Sequence, residues 1–386
     1  MSREDLFDSM TPETMRSRPG LKWGRDPAPH IPLFIAAPDF PIAPQIKEAL
    51  IDAVQREDLY YNTDGVTREA MAEKVTRVNG VEATANDIMI IQGVDPGIWL
   101  AASYACRPGD EIVVTDPTYG PLMEVVPKVG AKPVVWELEM DEGYRFDVER
   151  LKELVTKRTR LINLCNPHNP CGRVLTREEL KGIADVAVDN GIVVASDELW
   201  EDVVFDSREH VSLASLNPEI EMLTVTSWGL SKTFGVAGLQ LGYLCAKDEE
   251  MMAGFKRLSR LIQRGSSTLA KAVAPMMLGE NMDWWRDGLK KHLHKIRTLC
   301  EERLDGMPGV SYPKLQGTYA MFPRFDYGMT SKELVDYLRE EAKIGLSNGA
   351  GYGKRGEGHL RMIVATSESI ITEVLDRMER ALKKLG

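Results

Sequence analysis

Long apolar runs are missing from this chain. Nowhere do about 18 apolar residues follow one another, so no membrane-spanning helix is expected. The first ten residues, MSREDLFDSM, hold no apolar core of a secretory signal. Cysteine is scarce: five in 386 residues (106, 165, 171, 245, 300), odd in number and without a C-x-x-C pair. That argues against a disulfide framework or a zinc site and for reduced thiols in the cytoplasm. The six histidines are equally dispersed, and His292 and His294, two apart on an expected helix, point to different faces. Positive charge is in deficit, with 48 Lys and Arg against 58 Asp and Glu, a net −10. Nucleic acid and anionic membrane are therefore poor partners. Internal repeats and low-complexity tracts are absent too.

What is present is ordinary in bulk and informative in order. Hydrophobic content of 43% and charged content of 27% suit a soluble globular protein. At 386 residues, two domains are the expectation. Residues 1–40, rich in Pro, Arg and Asp, read as an extended arm. Helices are expected over 44–56 and 68–78, with a turn, Y-Y-N-T-D-G, between them. Seven short apolar runs follow, at 88–91, 111–114, 133–136, 160–164, 192–196, 223–226 and 241–245, separated by helical or mixed segments. This alternation predicts an α/β domain with a mostly parallel sheet, whose functional loops gather at the carboxyl ends of the strands. After Asp248 the pattern shifts to long amphipathic helices, about 248–264 and 281–304. A smaller α+β portion closes the chain, with strands near 310–312, 319–324 and 359–365 and a final helix over 368–384. The division expected is 1–45 as an arm and part of the small domain, 46–275 as the large domain, and 276–386 as the small one.

The loops carry the chemistry. T-S-W-G-L-S-K-T-F-G-V-A-G-L-Q-L-G (226–242) sets one lysine, Lys232, among small residues between two apolar segments. It reads either as a solvated surface lysine or as a buried amine, whose lowered pKa makes it a nucleophile toward an aldehyde. Q-G-V-D-P-G (92–97) is a glycine turn feeding a helix N-terminus, a geometry that offers N–H groups to a phosphate or is simply a turn. D-P-T-Y (116–119) offers an aromatic ring for stacking, or a core tyrosine. N-P-H-N-P-C-G-R (166–173) holds two Asn-Pro steps, which favour an extended loop and make Asn169 a directed amide. A-S-D-E-L-W ends a buried run in Asp197, a carboxylate that at such depth needs a cationic partner.

In this order, N-P-H-N-P-x-G, S-D-E and S-K-T-F with G-L-Q downstream resemble the pyridoxal 5'-phosphate (PLP) enzymes of fold type I. More narrowly the chain is similar to class I/II aminotransferases and their cystathionine β-lyase (MalY/PatB-like) branch, from about Lys22 to the C-terminus. The resemblance implies a large PLP-binding domain with a seven-stranded sheet between helices, a smaller α+β domain, and a homodimer with shared active sites. Lys232 would form the imine with the cofactor and serve as the base at Cα. Asp197 would pair with the pyridine nitrogen, Asn169 would bond the ring hydroxyl, and Tyr119 would stack on the ring. Val94 and Asp95 would give N–H groups to the phosphate, and Tyr60, together with 266–268, would come from the partner subunit. Ser231, Trp200 and Gln240 complete the cofactor's surroundings. Arg361, with Asn169 and Ala37 beside it, would hold the substrate carboxylate, a task suited to a bidentate guanidinium.

Two positions depart from the aminotransferase pattern. Gln240 stands eight residues after the lysine, where most carry a phosphate-binding Arg; Trp200 stands three after the aspartate, where a Tyr is usual. Arg264 or Lys271 is the candidate to restore the charge. The lyase branch also commonly lacks that Arg, and P-D-F-P-I-A-P (38–44) and K-W (22–23) lean the same way; G-T-Y-A-M-F-P (317–323) and V-A-T-S-E (364–368) lean toward aminotransferases. The expected activity is amino-group transfer from an L-amino acid to a 2-oxo acid, with carbon–sulfur β-elimination as the alternative and racemisation or cyclisation behind it. A non-catalytic PLP-binding regulator would need a DNA-binding domain, for which the 40-residue arm is too short.

Overall fold

Each of the seven apolar runs becomes a strand, and together they form one sheet. The computed structural model describes residues 5–18, 20–262 and 266–385. The strands are β1 (Ile88–Ile91), β2 (Glu111–Asp116), β3 (Lys132–Glu137), β4 (Thr159–Cys165), β5 (Val193–Asp197), β6 (Thr224–Gly229) and β7 (Gly242–Ala246). Their order is β1-β7-β6-β5-β4-β2-β3. All run parallel except β7, which is antiparallel to both β1 and β6. The inner strands are buried on both faces, as their unbroken Val, Ile and Leu runs require. Pro133, which lacks an N–H, sits in the edge strand β3, where most positions are exposed.

Helices Asp95–Ala105, Gly120–Lys128 and Arg177–Asn190 are among those connecting the strands. The last starts with a full capping box, Thr176 accepting from the Glu179 N–H and Glu179 reaching back. The smaller α+β domain holds helices Asp283–Asp305, Ser331–Glu341 and Glu368–Leu382 against short strands, including Ala320–Met321 paired antiparallel with Leu360–Ile363. Residues 319–324, read as one strand, split in two at Phe322 and Pro323.

Two expectations are corrected. Residues 1–40 are not merely an extended arm. Within them Pro12–Arg16 forms a helix, with Thr11 as N-cap and Pro12 at its start, and Leu21–Gly24 forms a further turn. Phe7, Met10, Met15 and Trp23 are buried in the core, and Phe7 packs on Trp285 and His292. Ile31–Pro32 adds a parallel strand to Ile344–Gly345. Proline and charge dominate the composition there, while four apolar anchors decide the packing. The other correction is helix Thr268–Leu278, which follows the shortened helix Glu249–Ser259. Its Pro275 is a breaker in sequence. It is tolerated because the Lys271 carbonyl, which loses its i+4 donor there, accepts from the Thr67 hydroxyl at 3.4 Å.

Candidate active site

The carboxyl ends of β1, β2, β4, β5 and β6 all open on one edge of the sheet, because β7 alone is reversed. Asp197 closes β5, level with Cys165 of β4 and Ser227 of β6. It is 3% exposed, and the one hydrogen bond to its carboxylate among the described residues comes from the Leu199 N–H at 3.1 Å. No described cation pairs with it. Burial, only partly offset by that N–H, pushes its carboxyl up to about 7. Its neighbour Glu198 has a different task. Fully buried, it accepts from Ser196, Ser212 and the Leu213 N–H and meets His210 at 2.9 Å.

Lys232 lies in the short helix Ser231–Phe234, directly beyond β6. Its Nζ donates to the Ala36 carbonyl at 2.8 Å and stands 5.3 Å from the centre of the Trp200 ring. Desolvation, aided by the charge of Arg361 and opposed by Asp197 and Asp95, draws its ammonium down to about 8. About a tenth of the group is then free amine at pH 7, so Lys232 is a half-buried, desolvated lysine rather than a fully solvated surface one. Trp200 is itself buried and packs edge-on to Tyr319, their rings 4.6 Å apart.

Val94 caps the helix Asp95–Ala105, which points its positive end into the same edge. The turn before it is tight: a Cβ on Gly242 would lie 2.6 Å from the Gly93 carbonyl. The Tyr119 hydroxyl donates to Asp95 at 3.2 Å. Desolvation raises the Asp95 carboxyl, and burial together with Asp95 and Asp197 raises the Tyr119 hydroxyl well above its usual range.

Arg361, 7% exposed, comes from strand Leu360–Ile363 of the smaller domain. Its Nη1 donates to Asn169 Oδ1 at 3.1 Å and its Nη2 to the Phe34 carbonyl at 2.9 Å. Its buried Nε has no partner, and the Tyr352 ring lies 4.9 Å from the guanidinium. Tyr352 is delivered by the loop after 348. The Lys354 and Arg355 N–H groups bond Asp116 there, and Gly353 (φ 127°) leaves no room for a Cβ beside that carboxylate. The Asn169 loop is braced by His168, fully buried, whose imidazole meets the Thr115 hydroxyl at 3.1 Å; burial lowers it to about 3.

Lys232, Ser231, Asp197, Trp200, Tyr119, Val94, Asp95, Asn169 and Arg361 therefore meet at one place, although they span nearly 270 residues. Three other anticipated residues lie differently. Ala37 is close by, but its carbonyl accepts from Lys22 at 2.9 Å, and it is Ala36 that touches Lys232. Gln240 is exposed and donates to Ala237 of its own turn. Tyr60 is 76% exposed and lines a separate cleft of about 550 Å³ with Tyr61, Ser266, Thr268 and Lys271. Lys271 pairs with Asp64 at 2.8 Å in that cleft, and Arg264 lies outside the described residues. Phe34, Ala36 and Tyr352 went unforeseen. The first two act through carbonyls, which no side chain announces, and the third through a loop whose docking is tertiary.

The family model for aminotransferases of class I and II matches residues 29–378. The chain belongs to that family. An aspartate aminotransferase of Pyrococcus abyssi is 32% identical, the alignment covering 100% of this chain and 99% of the relative. The cystathionine beta-lyase PatB of Bacillus subtilis is 29% identical over 91% of this chain and 92% of its own. The crystal structure of cystalysin from Treponema denticola, which contains a pyridoxal 5'-phosphate cofactor, superposes with a TM-score of 0.89 at 26% identity, covering 95% of this chain and 96% of that one.

Pyridoxal 5'-phosphate is the cofactor of this family member, and the ring end of the site fits it. The buried carboxylate of Asp197 has no cationic partner among the described residues, and Lys232 is a desolvated amine in the same cluster. The phosphate end offers a helix terminus and a close-packed glycine turn, with the Asp95 carboxylate at that terminus and the uncharged Gln240 turned back on its own turn.

Proposed function

We propose that this protein is a PLP-dependent aminotransferase, moving the amino group of an L-amino acid to a 2-oxo acid. The observation that carries this reading is a half-buried, desolvated lysine lowered to about 8, in one cluster with Asp197, which has no cationic partner among the described residues, and the Arg361–Asn169 pair. The cofactor, when bound, supplies an electron-withdrawing pyridinium that makes the substrate Cα proton acidic. Lys232 would hold the cofactor's aldehyde end and, with its amine free, would carry the Cα proton as general base and acid. Asp197 keeps a proton on the ring nitrogen. Asn169 and Tyr119 orient the ring, and Val94, Asp95 and Ser231 surround the phosphate. Arg361, with Asn169 beside it, receives the substrate carboxylate; its Nε, without a partner among the described residues, leaves donor capacity for that ion pair, whereas both backbone groups of Ala37 are already bonded.

A carbon–sulfur β-lyase is the second reading, and Gln240 favours it. Without an arginine the phosphate is held less firmly, which matters most when the cofactor is not tethered to Lys232. The similarity to PatB points the same way.

The protein works as a homodimer in this reading. Tyr60, Tyr61, Leu59, Val66, Leu261 and Ile262 are largely exposed on the single chain, an apolar surface that a second copy would cover. Tyr60 would then reach the partner's cofactor. Cytoplasmic residence fits five free, scattered cysteines, and among the described residues no helix is long and apolar enough to cross a membrane.

The test is steady-state turnover of L-aspartate, L-phenylalanine and L-alanine with and without 2-oxoglutarate. Amino acid consumption that requires the oxo acid supports transfer; 2-oxo acid and ammonia formed without it refute transfer.

A further inference from the structure

Residues 34–39 cross the site as a bridge between its two halves. The segment is pinned at both ends to the smaller domain: the Leu33 N–H bonds Gly345, the Ile363 N–H bonds Leu33, and the Asp39 N–H bonds Ala365 at 2.9 Å. Between those anchors its carbonyls turn inward. Phe34 accepts from Arg361, and Ala36 accepts from Lys232. Pro38 lies against the lysine turn, where a Cβ on Gly235 would be 3.3 Å from its ring.

What holds the exit of this bridge is a buried charge cluster. Asp39 is 1% exposed and Lys22 is 7% exposed. One oxygen of Asp39 accepts from Lys22 Nζ at 2.9 Å and from the Trp23 indole at 2.8 Å, while its other oxygen has no partner. The same Nζ bonds the Ala37 carbonyl at 2.9 Å. Lys22 thus ties backbone and side chain of the bridge together, two residues apart. A buried ion pair is a weak device for stability but a directional one for geometry. Carbonyl oxygens cannot be re-aimed by rotating a side chain; only the backbone path sets them.

We propose that Lys22, Trp23 and Asp39 are positioning residues for the reaction: they fix the 34–39 segment so that its Phe34 carbonyl aims Arg361 at the substrate carboxylate. The proposal rests on Arg361 being the carboxylate-binding residue. None of the three touches the reacting atoms. Their loss loosens the segment downstream of Phe34, leaves that carbonyl held from one side only, by Ser347 at 3.0 Å and the Leu33 ladder, and so weakens substrate binding through a less firmly set guanidinium without displacing the cofactor.

The test uses the holoenzyme with its best amino acid substrate. Lys22→Met leaves Asp39 without its cation, so the paired variant Lys22→Met/Asp39→Asn, in which neither charge remains, is measured beside it; Lys22→Arg serves as the conservative rescue. The expected result for the paired variant is a tenfold or greater rise in KM, with kcat changed less than threefold and the visible cofactor band intact. Lys22→Arg should recover most of the KM. An unchanged KM in the paired variant, or an equal fall in kcat and cofactor content, overturns the proposal. Arg361→Ala is the control. If it leaves KM unchanged, the reading of Arg361 fails; if it raises KM while the paired variant does not, only the clamp fails.

Discussion

Arg361 Nη1 donates to Asn169 Oδ1 at 3.1 Å, joining the smaller domain's strand to the loop that leaves β4 of the large one. The guanidinium plane is set further by the Phe34 carbonyl and the Tyr352 ring, so its fork is oriented before any substrate arrives. Arg361→Lys keeps the charge but loses the fork. It is expected to lower kcat/KM about 10- to 150-fold, the equivalent of roughly 1.5–3 kcal/mol for one charged hydrogen bond. Steady-state kinetics should place most of that loss in KM; an unaltered KM would show that the carboxylate binds elsewhere.

The amine of Lys232 is expected to react with aldehydes over an unusual pH range. Desolvation lowers its pKa to about 8, so the nucleophilic form appears as pH rises through 8 instead of above 10. In cofactor-free protein the rate of covalent PLP capture, followed by absorbance, should climb with a midpoint near 8. Lys232→Ala should show no capture, and a wild-type midpoint above 10 would contradict the burial of this amine.

Asp197 couples proton binding to folding when the cofactor is removed. Its carboxyl is raised to about 7 in the folded chain, whereas an unfolded aspartate titrates near 3.9. The native state therefore binds this proton more tightly. The stability it contributes is complete below about pH 4 and is lost as pH rises through 7. Cofactor-free Asp197→Asn, which cannot ionise, should gain on wild type by up to roughly 4 kcal/mol between pH 4 and 8. Urea denaturation of both proteins across that range measures the difference. Saturating PLP should reverse the order above pH 7, because only wild type offers the ring nitrogen a carboxylate.

Asp95 places a carboxylate at the helix terminus that the phosphate shares, and Gln240 faces away into solvent. Asp95→Asn keeps the acceptor for Tyr119 and removes the like charge. It should tighten binding of pyridoxamine phosphate about three- to tenfold, read by equilibrium dialysis. Weaker binding would show that the carboxylate does not face the phosphate.

The seven strands and the order of the chemical loops were legible because they rest on local signals: apolar runs of strand length, Asn-Pro steps, and a lysine and an aspartate closing buried segments. Asp197 could be told from Glu198 only by the resemblance, since both read as acids at a strand end; the structure shows Glu198 facing Ser196, Ser212 and His210 instead. The burial of Phe7, Met10, Met15 and Trp23 was hidden by a composition of proline and charge, and the helix Thr268–Leu278 by a proline whose cost is met through a distant contact, Thr67 on the Lys271 carbonyl. The Phe34 and Ala36 carbonyls were invisible for a deeper reason. Backbone acceptors exist at every residue, and only the fold selects which ones turn into a site.

A single-turnover mixing experiment decides between the two chemistries of this scaffold. Purified holoenzyme is mixed with excess L-amino acid and no 2-oxo acid, and the cofactor spectrum and products are recorded together. An aminotransferase converts its visible band to that of pyridoxamine phosphate and releases one equivalent of 2-oxo acid per active site, then stops. A band that persists while L-cystathionine yields pyruvate, ammonia and thiol over many turnovers would contradict amino-group transfer and install the lyase in its place.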